Sequence, residues 1–141
     1  MIYVLDSSVA FKWEVPETDS DKANLLRDDF RNGIHALIAP DFFPLELAHA
    51  LTRAERQGRI AVGLAALFWT DAMTTPPALM TSLSLAVRAI AISSQMRIGV
   101  YDCLYIALAE REKCEFITAD DKLVKNVGKL FPFIGHVSTL P

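Results

Sequence analysis

Met1-Ile2-Tyr3-Val4-Leu5-Asp6 (MIYVLD) opens the chain with five uncharged residues that end on a carboxylate. A run this apolar, rich in strand formers and too short for a helix, reads as a strand buried on both faces, as in a parallel sheet. A second such run, Glu115-Phe116-Ile117-Thr118 (EFIT), is followed two residues later by Asp120. In open α/β sheets ligands sit beyond the carboxyl ends of the strands, so Asp6 and Asp120 can converge on one crevice.

The segments between these strands alternate helix and strand signals. A short helix is expected around 9–13, stopped by Pro16. Thr18 or Asp19 can cap a helix over 19–31, which Gly33 terminates. Ala36–Ala39 reads as a strand cut off by Pro40. From Pro44 the residues Leu45, Ala48 and Leu51 recur at helical spacing until Gly58. Residues 59–73 read as a largely apolar, well-buried helix broken by Pro76-Pro77. A helix over 82–96 carries Leu83, Ala86, Val87, Ile90 and Ala91 on one stripe, and 97–100 reads as a turn. Asp102 is expected to cap a helix running to about Lys113. A short helix over 120–128 and a strand over 133–137 close the chain. Short apolar strands alternating with amphipathic helices give an α/β class with a short, mostly parallel sheet flanked by helices, as a single domain over 1–141.

The bulk properties agree with one globular unit. The chain has 141 residues, 52% of them hydrophobic and 22% charged, which suits one core and excludes a disordered chain. A net charge of −3 and a pI near 5.5 exclude a basic nucleic-acid coat protein. They do not exclude a nuclease that meets phosphate through a metal, because acids holding divalent cations are locally far less negative. Cys103 and Cys114 lack CxxC spacing and a paired His cluster, so they read as small apolar residues in a reducing compartment. Met1 leads straight into a strand with no basic leader. The most apolar run, Ile60–Trp69, is about half of the roughly 20 residues a membrane span needs. A cytoplasmic protein with no membrane association is expected.

Two more acids stand out. Asp102 lies at a helix start, where the dipole favours a carboxylate. Glu46 interrupts the otherwise apolar Phe42-Phe43-Pro44-Leu45-Glu46-Leu47-Ala48. Taken singly, an Asp at a strand end is a turn residue and an Asp at a helix start is a cap. Taken together, four acids at such places form an oxygen ligand set of the kind hard divalent cations prefer, and such ions can activate water for phosphodiester hydrolysis.

The segments VLDSSV (Val4–Val9), PLELAHAL (Pro44–Leu51), YDCLYIALAE (Tyr101–Glu110) and FITADDKL (Phe116–Leu123) resemble the four acidic motifs of PIN domains. In its compact length the chain most resembles the VapC toxins of toxin–antitoxin pairs. The resemblance implies an endoribonuclease dependent on Mg²⁺ or Mn²⁺, with Asp6, Glu46, Asp102 and Asp120 as its catalytic acids. Asp6 and Asp102 would hold metal, with Glu46 and Asp120 as further ligands. Ser8 and Thr118 match the small residues that support those acids through hydrogen bonds. The implied partners are an RNA substrate, a small cognate antitoxin and a second copy of the chain.

This sequence departs from the family pattern at His49, where Asn is common, and at Cys103, where Ala is common. Asp121 adds a fifth acid, read as solvated. His35 and His136 read as core-edge or surface residues. Lys12, Arg53, Arg56, Arg97 and Lys122 lie near the motifs and read mostly as surface charge. A haloacid-dehalogenase phosphatase would need a second Asp where Ser8 stands, and a receiver domain would need an early acidic pair. The remaining alternatives are a PIN-fold RNA-processing nuclease outside toxin–antitoxin systems and a non-catalytic PIN-fold binding protein.

Overall fold

Five strands form one sheet: Ile2–Leu5 (β1), Ala36–Pro40 (β2), Ala78–Met80 (β3), Glu115–Thr118 (β4) and Ile134–His136 (β5). Their order is β3-β2-β1-β4-β5 in a computed structural model that describes all residues, Met1–Pro141. Every neighbouring pair is parallel, so the chain must cross over between strands, and helices make the crossovers. These are Ser7–Glu14 (α1), Ser20–Arg31 (α2), Phe43–Arg56 (α3), Leu64–Ala72 (α4), Ala86–Met96 (α5), Val100–Glu112 (α6) and Asp121–Val127 (α7). The expected α/β domain with a parallel sheet is what forms.

The topology fixes where a site can be. The chain builds outward from β1 to β2 and β3, then returns to the other side of β1 for β4 and β5. Strand order therefore reverses between β1 and β4, and the crevice at their carboxyl ends is the usual ligand position of such a sheet. The backbone N–H of Asp6 donates to the carbonyl of Ile117 at 3.0 Å, which carries the β1–β4 pairing up to the first acid.

The core explains why α6 is central. Seven consecutive residues, Cys103–Ala109, are buried, and α6 packs on β1, β2 and β4. A helix that is small or apolar around its whole circumference has no face to give to water. Tyr105 stacks on Phe116 with centroids 5.3 Å apart and planes at 11°. On the other side, α1, α2 and α4 are tied by a buried cation. Arg27 holds Glu14 Oε2 and Asp71 Oδ2, each at 3.2 Å, and donates to Thr75 Oγ1 and the Asp71 carbonyl, each at 2.8 Å. Paired this way, the guanidinium is buried without being left unsatisfied, and it fixes the helix whose first turn carries Asp6–Ser8.

Several expectations need correction. Strand β3 was not anticipated: it is a three-residue edge strand directly after Pro76-Pro77, and an exposed edge carries neither a continuous apolar run nor an alternation to read. The helix expected over 59–73 begins only at Leu64, after Gly63 at φ 93°, and only Ala65 and Ala72 of it are buried. The first part of the expected 82–96 helix is a 3-10 turn, Leu83–Leu85. The stripe of Leu83, Val87 and Ile90 faces outward, while Leu85, Ala89 and Ile92 face the core. Neither Thr18 nor Asp19 caps α2 through its side chain; Asp19 takes a left-handed conformation instead. Asp102 is not a cap, because α6 starts two residues earlier with Gly99 at the capping position.

Candidate active site

Asp6 stands where a side chain would ordinarily cap α1, yet it makes no capping bond. Its buried carboxylate instead accepts two hydroxyls on one oxygen: Thr118 Oγ1 donates to Oδ2 at 2.6 Å and Ser8 Oγ donates to it at 2.9 Å. Each hydroxyl has its direction set by the loop after β4. Thr118 Oγ1 accepts from the Asp120 N–H at 3.1 Å, and Ser8 Oγ accepts from the Ala119 N–H at 3.0 Å. With an acceptor role already filled by main chain, both hydroxyls point their protons at Asp6. The other oxygen, Oδ1, receives no hydrogen bond.

Glu46 repeats this arrangement from the first turn of α3. Ser7 Oγ at 2.7 Å and the Tyr105 hydroxyl at 2.8 Å both donate to Oε1, and Oε2 is left over. Asp102, in the first turn of α6, accepts no hydrogen bond. Asp120 accepts the Leu123 N–H on Oδ1 at 3.1 Å and so caps α7. Two of these supports, Ser7 and Tyr105, were missed from the sequence. The available signals were a second hydroxyl beside Asp6 and a polar-tipped ring one turn after Asp102, on a helix otherwise apolar at that level.

The four acids share one electrostatic environment. Burial pushes Asp6 up to about 7, reinforced by the charges of Glu46 and Asp102 and opposed by the Thr118 and Ser8 hydroxyls. Burial, then Asp120 and Glu46, push Asp102 up to about 6. The phenol of Tyr105 is raised by burial and by Asp6 and Glu46, so it stays protonated and can only donate to Glu46. As they stand, no three acid, imidazole or thiol side chains close on one point as a cation cage. The donor set nevertheless fits a hard divalent ion. Mg²⁺ needs only one or two carboxylates and keeps several waters, and here two carboxylates are each braced through one oxygen with the other free.

The remaining candidates lie at the margin or elsewhere. Asp121 turns away from the cluster and pairs with His136 Nε2 at 3.0 Å. His49 lines a cleft beside Glu46. His35 sits near Asp29, with Nδ1 buried and without a partner. Both cysteines carry free thiols, Cys103 buried and Cys114 partly so. No helix is long and apolar enough to cross a membrane.

The family model of the PIN domain matches residues 3–130. The chain belongs to the PIN-domain family. PIN domains are generally nucleases, and the crevice between β1 and β4 is where this one gathers its acids. Among solved structures, PAE2754 from Pyrobaculum aerophilum is 18% identical, with a TM-score of 0.68 over 99% of this chain and 94% of that one. VapBC2 from Rickettsia felis, solved bound to a DNA fragment from its promoter, is 13% identical, with a TM-score of 0.63 over 96% of this chain and 98% of that one. At these identities the likeness shows a shared fold. No curated protein matches the sequence.

Proposed function

We propose that this PIN domain is a Mg²⁺- or Mn²⁺-dependent endoribonuclease, the toxin of a toxin–antitoxin pair, acting in the cytoplasm. The observation that carries the reading is the paired bracing of Asp6 and Glu46, each fixed by two hydroxyls on one oxygen beside a third and fourth acid. Such support orients carboxylates toward a ligand rather than toward the helix they start. Asp6 and Asp102 would hold the metal, with Glu46 and Asp120 completing the set. A bound divalent ion supplies an activated water and charge stabilisation for phosphodiester hydrolysis. The protein's share is positional: Ser8 and Thr118 hold Asp6, while Ser7 and Tyr105 hold Glu46. Incubated with RNA and Mg²⁺ or Mn²⁺, the purified protein is expected to cleave, and excess chelator is expected to stop it. Undiminished cleavage in chelator would overturn the four-acid reading.

The toxin assignment draws on the shared fold with the VapBC2 complex and on apolar surface that one copy leaves uncovered. Leu83, in the 3-10 turn before α5, and Val87, on the outer side of α5, are more than four-fifths exposed, and Leu45 and Leu67 are about two-thirds or more exposed. Patches of this kind mark interaction sites. A homodimer inhibited by a small cognate protein is expected, measured by light scattering and by cleavage with and without the protein encoded beside it. A strictly monomeric protein that no such partner inhibits would count against the toxin role while leaving the nuclease reading standing.

A further inference from the structure

The cleft beside Glu46 differs in charge from the acids it adjoins. It encloses about 420 Å³ between α1 and α3, begins at Ser7, Ser8 and Glu46, and carries Lys12, Arg53 and Arg59 on its walls. Glu17, in the turn between α1 and α2, reaches between two of these cations. Its Oε1 lies 3.0 Å from Lys12 Nζ and its Oε2 lies 3.1 Å from Arg59 Nη2. Lys12 is itself nearly buried and also donates to the Thr18 carbonyl at 2.7 Å, so its ammonium is fixed between that carbonyl and Glu17. The Arg59 guanidinium lies over the Phe11 ring, 5.5 Å from its centroid. Arg53 is exposed and takes no part in any ion pair. It stands seven residues after Glu46 on the same helix, about 10 Å along the axis.

A carboxylate bridging an ammonium and a guanidinium presents two oxygens and one negative charge. A phosphodiester offers the same, and Lys and Arg bind it through the same contacts. We propose that this cleft is the track for the RNA backbone leading to the acids. A backbone phosphate beyond the one being cut displaces Glu17 from Lys12 and Arg59, and Arg53 takes its neighbour. Glu17 is then a built-in competitor that sets how tightly RNA is held. The assignment rests on the ribonuclease reading above.

The test uses the full chain carrying Asp102→Asn to prevent cleavage, with a labelled mixed-sequence single-stranded RNA of about 20 nucleotides, a length that exceeds a typical single-strand site. Binding is followed by fluorescence anisotropy in Mn²⁺ across a salt series. Arg53→Ala and Arg59→Gln are each expected to weaken binding about three- to tenfold and to flatten the slope of log K against log salt by about 0.7, the contribution of one phosphate contact on a single strand. Glu17→Gln, which still accepts a hydrogen bond from Lys12, is expected to tighten binding about threefold or more. Lys125→Ala, on α7 outside the cleft, should change affinity less than twofold. Thermal melts show that each variant is folded. The proposal is overturned if Arg53→Ala and Arg59→Gln behave like Lys125→Ala, if Glu17→Gln fails to tighten binding, or if the background protein binds no RNA while the parent cleaves it. Absence of cleavage by the parent in Mn²⁺ would instead count against the ribonuclease reading.

Discussion

Asp102→Asn is expected to lower RNA cleavage by at least about 100-fold while leaving the metal-free protein as stable as the parent or slightly more so. Losing even a residue that merely supports a metal ligand costs about 10–100-fold, and Asp102 is proposed above as a ligand itself. Its fold contribution is small. Gly99 occupies the capping position of α6, and the Asp102 carboxylate accepts no hydrogen bond there. The helix dipole favours its charge by about 0.3–1 kcal/mol. Against that, burial and the neighbouring Asp120 and Glu46 disfavour the charge enough to raise its pKa to about 6. Asn keeps the shape and removes the charge. Ligands that bind only the native state stabilise it by mass action, so Mn²⁺ should raise the melting temperature of the parent and raise that of the variant much less. Melts with and without Mn²⁺, beside a cleavage assay, decide the matter. Survival of both activity and the Mn²⁺ response would mean that Asp102 only decorates a helix start.

How legible the fold was depended on how fully each element is buried. MIYVL and EFIT become the central, paired strands β1 and β4, and burial on both faces is what writes a continuous apolar run into a sequence. Edge strand β3 has one neighbour and two exposed residues of three, so Ala78–Met80 carried no period. α5 failed differently. With the 3-10 turn before it, it has two apolar stripes, and Leu83, Val87 and Ile90 lie on the outer one. The buried side is built from Leu85, Ala89 and Ile92. A small residue such as Ala89 lets two helices approach closely, so hydrophobic volume pointed to the wrong face.

The site was legible where its chemistry is local. Ser8 and Thr118 lie two residues from Asp6 and Asp120, and both hydroxyls reach Asp6. Ser7 and Tyr105 serve Glu46 across 39 and 59 residues. Spacing along one element shows which side chains share its face but not which partner a different element will bring. That Glu46 needed bracing could be argued from an acid in an apolar stretch. Which groups would brace it required α1 to pack against α3 and Tyr105 of α6 to reach Glu46.

The metal-free protein should lose stability as pH rises from about 5 to 8, with melting temperature falling roughly 5–10 °C, and Mn²⁺ should abolish most of that fall. The sign follows from the acids. Asp6, with an ordinary value of 3.8, is raised to about 7 by burial first, and Asp102 is raised to about 6 by burial, Asp120 and Glu46. A carboxyl whose value is higher in the folded chain binds its proton more tightly there than in the unfolded chain. Its contribution is therefore fully present below about pH 4 and is lost as pH climbs through 6 to 7. Each unit is worth about 1.4 kcal/mol at most, so the two acids together account for roughly 2–4 kcal/mol over this range after discounting the partly exposed Asp102. The lowered groups, Asp71 and Glu110, act in the opposite sense but below this window. A divalent ion held by Asp6 and Asp102 would favour their charged forms and remove their share of the fall. Glu14, raised to about 7 by burial and by Asp71, belongs to the Arg27 network, so its separate share should persist in Mn²⁺ and vanish in Glu14→Gln. Melts at pH 5 and 8 in chelator, in Mn²⁺ and in Glu14→Gln separate these contributions. A pH dependence that Mn²⁺ leaves untouched would show that the buried charge at β1 and β4 is not where the metal binds.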